Sequence, residues 1–241
     1  MKSPLPVITM PHTISLRHPS GTGAELRARF NLAAGPFLFL TLFDFNSYAV
    51  RKNPQAVVAA FRASGLRPAE AGLVIKVQNS AANPGDFAAL QSALRDLPGA
   101  VVIAETLSRD EITALEAACD CFVSLHRSEG FGLAIGEAMF LGKPVISTDW
   151  SAPAEFVTAE NGCPVRWHPM TLDRSHGPYG RGSTWAEPEV SHAAEWMRRL
   201  VADRGLAARL GAAARVTMET RFAPAVIGAR YRKRLEAIAT F

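Results

Sequence analysis

Residues 126–139 read HRSEGFGLAIGEAM, with two carboxylates, Glu129 and Glu137, on either side of Gly130, Gly132 and Gly136. Glycines let a backbone approach a ligand closely. A helix starting just behind them presents free N–H groups and the positive end of its dipole. Together these make an anion site. A phosphate alone does not account for the two carboxylates. Glu129, directly before the glycines, would repel it. Glu137 falls within the first turns of an Ala/Met/Phe-rich stretch, where a buried carboxylate needs donors or costs on the order of several kcal/mol. Hydroxyl-bearing rings supply such donors: a ribose diol can hold one carboxylate through both hydroxyls while a sugar ring meets the other. The pattern points to phosphate on the amides with a ring on each side, a sugar nucleotide.

A second loop carries cations. In DFNSYAVRKNP (44–54), Arg51 and Lys52 stand just before an expected helix start. Cations there oppose the helix dipole, so an anion is expected to compensate them; a diphosphate shared with the glycine loop would do so. Other polar residues are weaker candidates. Lys76, near the end of an apolar run, either snorkels or reaches the site. A lone histidine is more often structural than catalytic, so His126 is taken as a sugar contact only. Glu155 is expected to cap a helix, and Asp44 and Asn53 to fix local turns.

Gly130-x-Gly132-x-x-x-Gly136, with Asp149 at the end of the next apolar run, also resembles a loosened dinucleotide fingerprint. The charge of Glu129 counts against it. So does the position of the loop, after the fourth expected strand rather than the first. Too little strand is expected to follow for a six-stranded dinucleotide sheet.

The elements that must position these loops are short apolar runs alternating with amphipathic stretches. Strands are expected at 36–44, 72–79, 99–105, 121–125 and 143–149, with a sixth candidate at 162–167. Helices are expected at 53–64, with Pro54 in the first helical position, and at 83–97, 108–118 and 132–142. Ser108 and Glu111 have capping-box spacing. Beyond Trp185 the pattern reads as helical to the end. Alternation of this kind predicts an α/β domain, a doubly wound, Rossmann-like parallel sheet covered on both faces. Ligands then bind at the carboxyl ends of the strands, where both loops fall.

The 241 residues are 48% hydrophobic and 20% charged, with a net charge of +4. That is ordinary for a soluble globular domain. No cationic cluster is dense enough for nucleic acid. Cys119, Cys121 and Cys163 are odd in number and show no framework or metal spacing, so they read as reduced thiols of a cytoplasmic protein, with no metal. No apolar run reaches membrane-spanning length. The first 21 residues read as a Pro-rich linker without a signal peptide.

SEGFGLAIGEAM followed by GKPVIST resembles the nucleotide-sugar glycosyltransferases of the large retaining family 4, which have the GT-B fold. Glu129 and Glu137 match that family's E-x7-E motif, and the likeness runs from about Phe37 to the end. It implies the carboxy-terminal, donor-binding domain of such an enzyme, residues 36–241, with extra carboxy-terminal helices. Residues 1–35 become an interdomain-type linker with a short helix, and the amino-terminal acceptor domain is expected to be absent. By this resemblance Glu129 contacts the transferred sugar. Backbone amides of Gly130, Phe131, Gly132 and Leu133 hold sugar hydroxyls and phosphate. Glu137 binds the ribose, and Arg51 and Lys52 bind the diphosphate. The implied reaction moves a hexose from a UDP- or GDP-sugar to a sugar or glycan acceptor with retention, with no bound cofactor or metal. An amino-terminal Rossmann domain or a second copy would be the partner. An isolated nucleotide-sugar binding module, or an inactive remnant, stays open as the alternative. Two departures from the family stand out. The arginine many members carry about six residues before the lysine is missing near Asn46, and WSAPAE (150–155) replaces the usual glycines after the fifth strand.

Overall fold

A computed structural model of the protein describes residues 8–240. The first seven residues of the expected linker, and Phe241, lie outside the described residues. Six strands, β1 (Phe37–Asp44), β2 (Ala71–Gln78), β3 (Ala100–Ile103), β4 (Cys121–Ser124), β5 (Val145–Thr148) and β6 (Cys163–Val165), form one sheet in the order β3-β2-β1-β4-β5-β6. Every neighbouring pair is parallel. The doubly wound expectation holds, and the sheet is the six-stranded one that appeared incomplete from the sequence. The short sixth strand, with Pro164 at its centre, is too brief to show a period of its own.

Both faces of the sheet are buried because its strands are apolar on both. Along β1, Phe37 and Phe39 point into one core with Val57, Phe61 and Met197, while Leu38 and Leu40 point into the other with Leu115, Ile135 and Met139. Helix α1 (Gly23–Arg29) precedes β1, and helices α2 (Ala49–Lys52), α3 (Pro54–Ser64), α4 (Pro84–Leu94), α5 (Arg109–Ala118) and α6 (Leu133–Phe140) connect the strands. Ser108 and Glu111 form the capping box of α5.

Between β6 and the helices expected beyond Trp185, the structure holds a hairpin that the sequence did not suggest. β7 (Trp167–Thr171) and β8 (Thr184–Pro188) form an antiparallel hairpin, joined by the segment 172–183. Pro169 and Pro188 disguise both strands, since proline inside an apolar run argues against a central strand and is tolerated in a two-stranded ribbon. Three helices follow: α7 (Val190–Ala202), α8 (Arg204–Arg221) and α9 (Pro224–Ala239). No full helix follows β5 for Glu155 to cap; the segment Ala152–Glu155 is a single 3-10 turn.

Residues 8–35 lie against this domain. Arg27 of α1 pairs with Asp120 and donates to the carbonyls of Ala34, Pro36 and Ala118. The Ile14 amide donates to the Phe222 carbonyl, and its side chain packs on Gly136, where an added Cβ would lie 3.1 Å from it. Helix α8 meets α6 just as closely: a Cβ on Gly211 would come within 2.0 Å of the Gly142 carbonyl oxygen. Among the described residues no helix is long and apolar enough to cross a membrane. The three cysteines are free and buried, and burial pushes the thiols of Cys119 and Cys163 up to about 12.

Candidate donor site

Strand order reverses between β1 and β4, the two central strands that start the two halves of the sheet. At such a point the loops leaving neighbouring strands diverge and open a crevice at their carboxyl ends. The loop after β1 and the loop after β4 are the two that carried chemistry in the sequence. The crevice they form is a cavity of about 890 Å³, within the usual range for a ligand site. It is lined by Asp44, Ser47 and Lys52 from the first loop, and by residues 129–135 and Glu137 from the second. Arg109, Glu155 and residues 9–12 complete much of the wall.

Glu129 sits at the centre. Its Oε2 lies 2.5 Å from Lys52 Nζ, its Oε1 lies 3.5 Å from Arg51 Nη1, and the Gly130 amide donates to Oε1 at 3.1 Å. Burial works to raise its pKa, but the Lys52 ammonium, its hydrogen bond and Arg51 outweigh burial and hold the carboxyl below its ordinary range. The two loops are therefore joined by charge. Arg51 and Lys52 do stand just before a long helix, α3, as the sequence implied. They end the short helix α2, and the anion that compensates them in the structure is Glu129.

Gly132 opens α6 with φ +85°, a conformation side chains rarely adopt, and a Cβ there would press on Ile135 and Pro153. No side chain caps the helix, and Leu133, Ala134 and Ile135 of its first turn all line the cavity. Unpaired amides and the dipole thus face one space. Gly130 has nothing within 4 Å of an added Cβ, so its open side is toward the cavity rather than protein. Gly136, the third glycine of the dinucleotide look-alike, serves packing against Ile14.

Glu137 is buried in α6, and its carboxylate pairs with Arg109, the first residue of α5. Lys52, Glu129, Gly130, Phe131, Gly132, Leu133 and Glu137 are therefore gathered in one cavity. Two other expected site residues are not. Arg51 is 8% exposed and donates to the carbonyls of Ser47 and Ser128, which makes it a strut between the loops. His126 is fully buried, with Nδ1 3.1 Å from Ser124 Oγ and Nε2 3.2 Å from the Trp150 carbonyl oxygen. Burial lowers its pKa, and neither residue lines the cavity. Lys76 also turns inward, its Nζ 2.5 Å from the Val77 carbonyl oxygen. Asp44 does fix a turn, accepting from the Asn46 amide and from the Asn79 side chain.

Three further residues bear on the site. Arg109 follows the capping Ser108, directly beyond the loop after β3. Glu116, seven positions on, is 2% exposed, with neither carboxylate oxygen hydrogen-bonded. Burial above all, with the field of Glu137 added, raises its pKa to about 8. Ser151 stands at φ +59°, ψ −155°, a region that is essentially glycine's. Its hydroxyl accepts the Glu129 amide N–H at 3.1 Å. A serine thus holds a glycine-type backbone shape and adds a bond to the glycine loop. The missing glycine was the sequence signal for it; Glu116 gave none, since an acid on a helix ordinarily reads as solvated.

A family model for glycosyl transferases group 1 matches residues 47–170, just over half of the chain and the span that contains both loops. The chain belongs to this family. No curated protein matches it closely enough to count as a relative. Among solved structures, HepE of Anabaena, in complex with UDP and glucose, is 17% identical with a TM-score of 0.69, over 91% of this chain and 54% of that one. Sucrose-phosphate synthase of Thermosynechococcus elongatus is 20% identical with a TM-score of 0.72, over 95% and 52%. The carboxy-terminal domain of the group 1 glycosyl transferase LpcC of Francisella tularensis is 19% identical with a TM-score of 0.64, over 86% and 96%. Likeness at this level speaks for the fold, that of a GT-B carboxy-terminal domain. The glycosyl transferase chain spans about half the length of HepE and of the synthase, and most of the length of the isolated LpcC domain.

Proposed function

We propose that this glycosyl transferase domain, residues 36–241, is the donor-binding half of a retaining hexosyltransferase that uses a UDP- or GDP-sugar. The observation that carries the reading is the convergence of Lys52, Glu129, Glu137 and the uncapped start of α6 on one crevice at the switch point of the sheet. The diphosphate lies on the α6 amides, with Lys52 beside it. As the sugar–phosphate bond breaks, negative charge grows on the leaving diphosphate, where these fixed donors stabilise it most. Glu129, displaced from Lys52 by the phosphate, turns to the hydroxyls of the transferred sugar. Glu137 takes the ribose diol. Residues 1–35 are an interdomain-type linker. The acceptor, a sugar or glycan, approaches from an amino-terminal Rossmann domain or a second copy of the chain. Three unpaired thiols suit the cytoplasm.

HepE has been solved with UDP and with UDP-glucose, which favours testing uridine donors first. The test is a calorimetric titration of the purified chain with UDP, GDP, ADP and NAD, repeated with Glu137→Ala. Selective binding of one nucleoside diphosphate, weakened by the substitution, is expected. Binding of NAD alone, or affinity indifferent to Glu137, would overturn the reading.

A further inference from the structure

Glu137 already has a partner within the protein. The Arg109 guanidinium reaches its carboxylate from the mouth of the cavity, and both residues line it. Their environments differ: the Arg109 side chain is 55% exposed and that of Glu137 is 12%. Arg109 gains nothing from its own helix, since a cation in the first turn of α5 faces the wrong end of the dipole. What draws it inward is the Glu137 carboxylate.

A guanidinium and a vicinal diol offer a carboxylate the same thing, two donors side by side. Glu137 has room for one such pair at a time. We propose that Arg109 is a built-in occupant of the ribose subsite, a stand-in for the diol that an incoming nucleotide must displace. The inference rests on the donor-site reading above. The exchange is feasible because Arg109, half exposed, has solvent to swing into, whereas Glu137 is fixed in α6. It also makes Arg109 set how far the site separates the two sugar forms, since its competition with the diol narrows the gap between them. A nucleotide with both ribose hydroxyls returns to Glu137 the two donors it removes. A nucleotide lacking them leaves Arg109 on Glu137, because displacing it would leave a buried carboxylate unpaired, which is costly.

The experiment is titration of the wild-type chain, Arg109→Ala and Arg109→Gln with UDP and GDP and with their 2′,3′-dideoxy forms, alongside Glu137→Ala. The ribonucleotide that binds is expected to bind Arg109→Ala about 1.5- to fivefold more tightly, the range for loss of a half-exposed ion pair. Arg109→Gln is expected to fall between Arg109→Ala and wild type, and the dideoxy form to gain nothing from either substitution. Equal gain or equal loss for both sugar forms, or no change in either, would overturn the proposal. If binding depends on Glu137 and not on Arg109, the exchange fails while the donor-site reading stands. If no diphosphate binds a chain that melts cooperatively, both fail.

Discussion

Replacing Glu116 by Gln should stabilise the protein, and by an amount that depends on pH in a stated way. The carboxyl is 2% exposed with both oxygens unpaired, and its pKa is raised from an ordinary 4.5 to about 8, first by burial and then by Glu137. In the unfolded chain the group ionises near 4.5; in the folded chain it stays protonated until about pH 8. Stability is therefore unaffected by this group below pH 4.5 and is lost progressively as pH rises from there to 8. At pH 7 the two states differ over two and a half pH units, at about 1.4 kcal/mol per unit, so Glu116 costs about 3 kcal/mol. Above pH 8 the cost levels off at about 5 kcal/mol. Gln keeps the volume and a neutral polar end, so most of that cost should disappear. Urea denaturation of both proteins from pH 4 to pH 9 measures it. The curves should meet near pH 4 and separate by about 3 kcal/mol at pH 7, or roughly 6–12 °C in Tm for a chain of this size. A gap that does not change with pH would refute the reasoning, because it would mean that Glu116 ionises in the folded state as it does in the unfolded one.

Two substitutions test the backbone around the site. Ser151→Gly loses the bond to the Glu129 amide but relieves a glycine-type conformation worth about 1–3 kcal/mol, whereas Ser151→Ala loses the bond and keeps the strain. The Gly variant should be the more stable of the two by about 1–3 kcal/mol, the reverse of the usual order, and urea midpoints decide it. Gly211→Ala places a Cβ 2.0 Å from a backbone carbonyl oxygen that cannot rotate away. It should lower stability by about 1–3 kcal/mol despite alanine's better helix propensity, and an unchanged or raised melting temperature would count against that contact.

The strands β1, β2, β4 and β5 could be read because each is a run of apolar residues bounded by turn signals and buried on both faces. β6 showed only as a candidate run at 162–167, and the β7–β8 hairpin could not be read, because Pro169 and Pro188 interrupt runs already too short to carry a period. Within the site, Glu129 and Glu137 stood out as carboxylates where a phosphate loop or an apolar helix should exclude them. Residue type does not tell a cation that faces a ligand from one that donates to backbone carbonyls, so Lys52 and Arg51 looked alike. One lines the cavity and the other is a strut. Arg109 and Ser151 matter through loops brought from other strands, and that proximity exists only once the sheet is formed.

The β7–β8 hairpin ties the two donor loops together from behind. Arg127, at the start of the loop after β4, pairs with Glu187 of β8 and donates to the Val50 carbonyl, and its own amide donates to the Arg51 carbonyl. Its carbonyl in turn accepts the Ala186 amide. Both loops are thus fixed to a common brace when the chain folds, and the ordering entropy of the cleft belongs to folding rather than to ligand capture. On the proposed reading, encounter with a nucleotide requires two side chains, Arg109 and Glu129, to move rather than two loops to assemble. Association should proceed at the rate set by diffusion and orientation, and differences in affinity among nucleotides should appear as differences in how long each one stays.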